Sequence, residues 1–414
     1  MKNRPPFLYF VILLYIFAFS CLVNGLIKNF RINLVLGIVF LFFLSINFFY
    51  RISLRQFTLI IYLFVSAFFA LFSTICNSQY FVIEGVRDLF LFTFNVMLLI
   101  CLLDNSFTNG ILKVFQSKSR LIYLFSVILN FIIYFMLTLD DCYKDVSLWK
   151  GSYFYGVSFG PHALASVVCF IATLKLLCIR FFEKISFIHL MLFLLDYFVI
   201  LQTGARAFII PIIICIYIFI YLSRNSSSLF FLVSLLSIAI LTPLSNFCDK
   251  TISVDTYGVI SNVSHSYNTY SKYSLPSLYL ILNSFTSGRL IIWTNDLVSF
   301  FNGNLIELLL GKGFNFAYIV NSVCSNSPIW AHSDFVSIFI SSGLLGLLLY
   351  LHVLRRVFIS IHYKYKILNF CLVMYAIFPA FFNGFYMYQS FVFSFMCLFV
   401  CVSSLSKKNL NLSL

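Results

Sequence analysis

Three short stretches of the chain put a cation or an imidazole where a helix leaves backbone N–H groups unpaired. The first is Gln202-Thr203-Gly204-Ala205-Arg206, a tight glycine turn between two apolar runs. Arg206 then falls in the first turn of the following helix, where free N–H groups and the positive dipole end repel a cation unless an anion binds. Arginine at a helix N-terminus therefore reads as an anion site; the plain alternative is a side chain that snorkels to lipid headgroups. The second is Ser287-Gly288-Arg289, where Ser287 is a suitable N-cap and the guanidinium again stands beside free N–H groups. Its alternative is a solvated charge on a surface helix. The third is Trp330-Ala331-His332-Ser333-Asp334. A histidine two residues from a carboxylate is a candidate general base near neutral pH, and the alternative is a polar cap in which Ser333 or Asp334 closes the next helix. No His/Cys/Asp/Glu set has zinc-like spacing, so no metal site is assigned.

The elements that must position these residues follow from composition. Of 414 residues 62% are hydrophobic and only 10% charged, with a mean hydropathy of +1.00. Soluble domains carry about 25% charged residues, so a soluble globule, a disordered chain, a coiled coil and a disulfide scaffold are excluded. Twelve apolar runs lie near 7–24, 32–50, 57–76, 88–103, 121–139, 161–179, 185–201, 207–222, 228–245, 334–353, 368–386 and 388–406. The expected fold is an all-α polytopic bundle of about twelve transmembrane helices: 1–245 forms helices one to nine, 246–333 a long outer loop, and 334–414 the last three helices with the tail. The first run, bulky and without a small-residue cleavage site, is expected to be an uncleaved helix.

Alternating the loops between two sides, with the N-terminus inside, places 17 of the 27 basic residues and two of the 13 acids on the inner side. This positive-inside bias predicts that both termini are cytoplasmic, and it makes the net charge of +14 a topology signal with no nucleic-acid partner implied. The long loop keeps helical periodicity at Leu290, Trp293, Leu297, Phe300 and Phe301, and a second short helix fits 304–310. A helical cap at the outer membrane face is expected.

Weaker features surround these. Tyr153 and Tyr155, in a moderate outer loop over 140–160, are candidates to stack on sugars, or else form an aromatic interfacial loop. Asp196, inside the seventh run, is an intramembrane carboxylate and hence a functional candidate; the structural alternative is a pair with Arg206. Gly311-Lys312-Gly313 lacks phosphate-loop spacing and reads as a turn. Most cysteines lie in apolar runs as small buried residues; Cys248 and Cys324 share the long loop and are candidates to pair, with Cys142 as a competitor.

The pattern as a whole resembles the O-antigen polymerase family (Wzy type), within the polymerase/ligase group of membrane glycosyltransferases. The residues that carry the resemblance are Thr203-Gly204-Ala205-Arg206, Ser287-Gly288-Arg289-Leu290-Ile291-Ile292-Trp293, His332-Ser333-Asp334-Phe335, Ser341-Ser342-Gly343-Leu344-Leu345-Gly346 and Leu310-Gly311-Lys312-Gly313-Phe314. Topology extends the likeness over the whole chain; the motifs span 203–346. One departure is Ser333, where the family often has asparagine after the histidine, which leaves open whether Asp334 orients His332. The resemblance implies a GT-C-like bundle and metal-independent, cofactor-free, inverting glycosyl transfer between undecaprenyl-pyrophosphate-linked glycans on the periplasmic face. Arg206 and Arg289 would hold the pyrophosphate, His332 would take or orient the acceptor hydroxyl proton, and Asp334, Tyr153 and Tyr155 would line the substrate. A chain-length regulator protein is a further partner of that reading. Its rivals are an O-antigen ligase, with the same three positions and a lipid A–core acceptor, and a lipid-linked oligosaccharide flippase. A flippase should carry charges along many helices and lack the long late loop.

Overall fold

The computed structural model describes residues 5–23, 39, 53–76, 79–146, 151–158, 160–223, 233–240, 289–325, 328–361 and 366–408. All of the expected second run but Val39, most of the ninth, Ser287 and Cys248 lie outside the described residues.

The described chain is all-helical apart from one small hairpin. Its elements are α1 (Pro5–Val23), α2 (Leu54–Cys76), α3 (Val82–Leu102), α4 (Asn105–Met136), strands β1 (Tyr143–Val146) and β2 (Gly151–Phe154), α5 (Pro161–Ile179), α6 (Phe187–Thr203), α7 (Ile209–Leu222), α8 (Arg289–Phe301), α9 (Leu305–Leu310), α10 (Phe316–Ser325), α11 (Asp334–Ile359), α12 (Lys366–Phe382) and α13 (Gln389–Lys408). Among them, five helices are long and apolar enough to cross a membrane, and five more are shorter apolar helices. With these lengths and this composition the protein is a helical membrane protein.

α5 is the hub. Every residue from Leu164 to Ile179 is buried, as expected of a helix apolar all round, and it packs on α1, α4, α6, α7 and α13. Small polar groups join it to α13 across an otherwise apolar seam: Thr173 meets Ser394 at 3.1 Å, and Ser166 meets Ser390. α2 is the opposite case. Tyr62, Phe64, Phe68, Phe72 and Ile75 on it are all exposed, the outward-facing apolar surface that acyl chains would cover.

The hub also holds the intramembrane carboxylate. Asp196 does not pair with Arg206. Its Oδ2 accepts from Lys175 Nζ at 2.6 Å, and its Oδ1 accepts from Asn130 Nδ2 at 2.6 Å and from the Tyr134 hydroxyl at 2.8 Å. Arg206 lies ten residues further along the chain, about 15 Å of helix rise, whereas the neighbouring helix brings Lys175 directly opposite.

The tenth apolar run is not one straight crossing. α11 is broken at Gly343, whose φ of 66° and ψ of −167° are accessible in practice only to glycine. The Tyr350 hydroxyl donates to Asp334 Oδ2 at 3.1 Å across 16 residues, which a straight helix would hold about 24 Å apart. The rings of Phe335 and Tyr350, 6.3 Å apart, make the same point. The two halves therefore form a V with its apex at Gly343. The Gly311-Lys312-Gly313 turn fills that apex: Lys312 N–H donates to Ile340 O at 2.9 Å and Gly313 N–H to Ser341 O at 3.0 Å. Carbonyls released by the break are thereby satisfied inside the protein, as irregular backbone at membrane depth requires. A Cβ on Gly343 would collide with the Leu309 carbonyl. Gly343→Ala is accordingly expected to cost about 2–3 kcal/mol through backbone strain and lost docking, read as a lower thermal midpoint in detergent; an unchanged midpoint would mean the apex is not rigidly closed.

The cap, α8 to α10, is tied down by polar contacts as well. Trp293 Nε1 donates to Ala331 O at 2.7 Å, and Phe314 N–H donates to Thr74 Oγ1 at 3.0 Å. Tyr318 donates to Asp88 Oδ2 at 2.7 Å, while Arg87 donates to the other oxygen of the same carboxylate at 2.8 Å.

Candidate active site

Arg206 is positioned by the turn that the sequence marked. Gly204 ends α6 in the left-handed conformation (φ 64°), and a short 3-10 turn, Arg206–Phe208, leads into α7. The close approach is made by Tyr153 of β2, whose ring lies where a Cβ on Gly204 would be. Tyr153 is buried; burial raises its phenol above the usual value and the Arg206 charge draws it back. Arg206 itself is exposed, and among the described residues it makes no ion pair.

Arg289 opens α8 and is half-buried. Trp293, one turn on, fixes that helix to the carbonyl before His332. Burial holds the Arg289 guanidinium below its ordinary value; the Tyr388 phenol opposes this and the positive charge of Arg206 adds to it. The two arginines are thus close enough to repel, though they come from elements more than 80 residues apart in the chain.

His332 is half-buried in a left-handed backbone conformation (φ 52°). That is costly for a residue with a Cβ, by roughly 1–2 kcal/mol, and such strain gathers at functional positions. Its ring lies 4.8 Å from that of Trp330. Burial first, then the charges of Arg289 and His162, push the imidazole down to about 3, with Asn383 acting in the opposite direction. It is therefore neutral at physiological pH.

Asp334 does not reach back to its sequence neighbour. It is fully buried and its carboxylate accepts the backbone N–H groups of Phe385 at 2.9 Å and Tyr386 at 3.1 Å, besides the Tyr350 hydroxyl. It anchors the turn between α12 and α13. That turn delivers two residues that the sequence did not single out. Asn383, fully buried, stands between His332 and Tyr388 and acts on both, although none of these contacts has strict hydrogen-bond geometry. Tyr388 packs 6.4 Å from His162 and 5.8 Å from Phe208, ring to ring. His162, behind Pro161 at the start of α5, was missed too, and Arg289 is near enough for its charge to act on it. The signal available was shared position: every one of these residues lies at a helix end that the alternation of loops puts on the same side.

Tyr155 is placed differently. Its ring takes the Lys144 ammonium at 5.2 Å, and among the described residues nothing links it to Arg206, Arg289 or His332. Cys142 and Cys324 both carry free thiols. No group of three potential metal ligands gathers among the described residues.

One end of an apolar bundle thus gathers two mutually repelling guanidiniums, a neutral imidazole, a buried amide and two phenols, contributed by five separate stretches. No protein-family model, curated protein or solved structure matches the chain. Chemically, the arrangement offers positive charge to an anion and, at His332, an uncharged ring nitrogen to a hydroxyl proton.

Proposed function

We propose that the protein is a polysaccharide polymerase of the O-antigen (Wzy) type, joining repeat units carried on undecaprenyl pyrophosphate at the periplasmic face of the inner membrane. The observation that carries this reading is that Arg289 lies near enough to Arg206 on one side and to His332 on the other for their charges to act on one another, since a pyrophosphate leaving group needs cations and a sugar hydroxyl nucleophile needs a base nearby. In the proposed reaction an acceptor hydroxyl attacks the anomeric carbon of the donor glycan from the face opposite the phosphate. The C–O bond to the carrier breaks, and undecaprenyl pyrophosphate departs with the electron pair. Arg206 and Arg289 stabilise the charge that develops on the departing oxygen. The hydroxyl proton passes to the free nitrogen of His332.

The depressed basicity of His332 fits this order of events. A bound pyrophosphate would offset the Arg289 charge, which after burial is the second cause of the depression. Asn383 lies near enough to the ring to act on it, whereas Asp334 holds the backbone of Phe385 and Tyr386. Tyr153, buried against Gly204, packs the turn that carries Arg206. The cytoplasmic placement of both termini belongs to the same reading.

The deciding experiment is the lipopolysaccharide profile after deletion of the gene in its own strain. Core bearing a single repeat unit, with the long ladder gone, is the expected result. Bare core with polymer held on the lipid carrier would assign a ligase, and a normal ladder would remove the glycosyl-transfer reading.

A further inference from the structure

The geometry points to a lipid-seated wedge in the cap: residues 298–309 lie within the bilayer interface on the side of the candidate site, with one apolar face among the acyl chains. Val298, Phe301, Leu305 and Ile306 are each more than half exposed, and Leu309 is 39% exposed. On a soluble surface so dense a patch would be a liability. It does not stand alone. α9 packs along α11 and α2, and immediately past the Gly343 apex, against which Leu309 and Gly311 lie, α11 exposes Leu344, Leu345 and Leu348. The cap patch therefore continues the face that a membrane-crossing helix turns outward. That continuity names the occupant as hydrocarbon.

Two further features suit a low-dielectric setting. The charged residues between 297 and 325 are Glu307 and Lys312 alone, and they neutralise each other at 3.5 Å. Lys312 is turned inward, donating to Ser299 O at 3.0 Å and lying over the Phe316 ring at 5.0 Å. The backbone is also closed. Asn304 and Glu307 form a reciprocal capping box, Gly311 N–H donates to Glu307 O at 2.7 Å, and Lys312, Gly313 and Phe314 donate to Ile340, Ser341 and Thr74 respectively. A segment with its N–H groups satisfied, its charges paired and its exposed side apolar meets the conditions for entering the interface. Arg289 opens the helix that ends in this patch, so the seat fixes the height of that guanidinium above the acyl chains, whatever anion it meets.

The test uses the full chain in phosphatidylethanolamine/phosphatidylglycerol nanodiscs. Ile306→Cys and Leu305→Cys carry a fluorophore, Leu348→Cys serves as the lipid reference and Lys144→Cys as the aqueous one. The wild-type chain, with its exposed Cys76, is labelled in parallel as background. Labels at 305 and 306 are expected to be quenched several-fold more by nitroxide on the acyl chain than by aqueous iodide, following Leu348. Quenching that follows Lys144 would overturn the proposal. So would protection from both quenchers, which would mean that protein, whether a second copy or another part of this chain, covers the patch. Neither outcome depends on whether the site makes polymer.

Discussion

Arg289→Ala and Arg206→Ala are each expected to lower polymer synthesis by about 10²–10³-fold, equivalent to roughly 3–4 kcal/mol of lost stabilisation of developing charge. The double variant should fall well short of the product of the two, because both side chains would act on one pyrophosphate and their losses are not independent. Arg289→Lys keeps a charge but gives up the planar two-point grip on phosphate oxygens, and should recover only part of the activity. Synthesis is read as ladder length in cells and as chain growth in membrane vesicles, with the amount of protein in the membrane measured beside it. Full-length ladders in both single variants would refute the assignment of the two arginines, and ladders lost only in proportion to lost protein would do the same.

The parts of this site that were legible in the sequence are those whose residue type conflicts with its surroundings. A cation at a helix N-terminus is such a conflict, and Gly204 beside Arg206 marked the turn that brings it there. Asn383, Tyr388 and His162 carry no conflict of that kind. An asparagine or histidine at a helix end is satisfied by an ordinary cap, and only the folded arrangement, with Asp334 holding the backbone of Phe385 and Tyr386, shows what the turn delivers. Adjacency left the partner of Asp334 open. Two residues apart at the start of a helix, its side chain and that of His332 point to different neighbours.

The same contrast runs through the fold. α5 matches its apolar run at both ends, 161 and 179, because a helix buried all round is apolar throughout. α4 begins at Asn105 behind the Asp104 cap and is broken at Lys118 (φ −129°, ψ 19°); the run at 121–139 marks the half beyond the break, and hydropathy passes over the half before it, which carries Lys113. The break in α11 left even less trace. Ser341-Ser342-Gly343 sits in a run apolar enough to cross unbroken, and what bends it is a backbone dihedral together with a turn docked from 30 residues upstream. Nothing in local composition encodes that contact.

The second large effect lies in the hub, away from the site. Lys175 and Asp196 are fully buried and joined at 2.6 Å. Lys175→Met should cost about 3–5 kcal/mol of stability, the usual penalty for stranding one member of a buried ion pair, and Asp196→Asn should cost a similar amount by stranding the ammonium. The Phe193 ring, 5.0 Å from Lys175 Nζ, softens the second loss only slightly. The choice of partner substitution matters, because Asn130 and Tyr134 also donate to Asp196 Oδ1. Leucine at 196 would strand both, whereas asparagine keeps a carbonyl oxygen for them. The double variant Lys175→Met with Asp196→Asn removes both charges and leaves those two hydrogen bonds an acceptor, so it should return to within about 1 kcal/mol of the native chain. Thermal midpoints in detergent measure the cycle, and ladder length in cells separates two roles for the pair. A double variant that is stable and still makes full-length polymer identifies the pair as a lock joining α5 to α6. A double variant that is stable but makes no polymer would instead mean that charge at this depth takes part in function, as intramembrane ionisable groups commonly do. The lock is the expected result, because the carboxylate spends both oxygens on three donors within hydrogen-bond distance in a seam closed by apolar side chains.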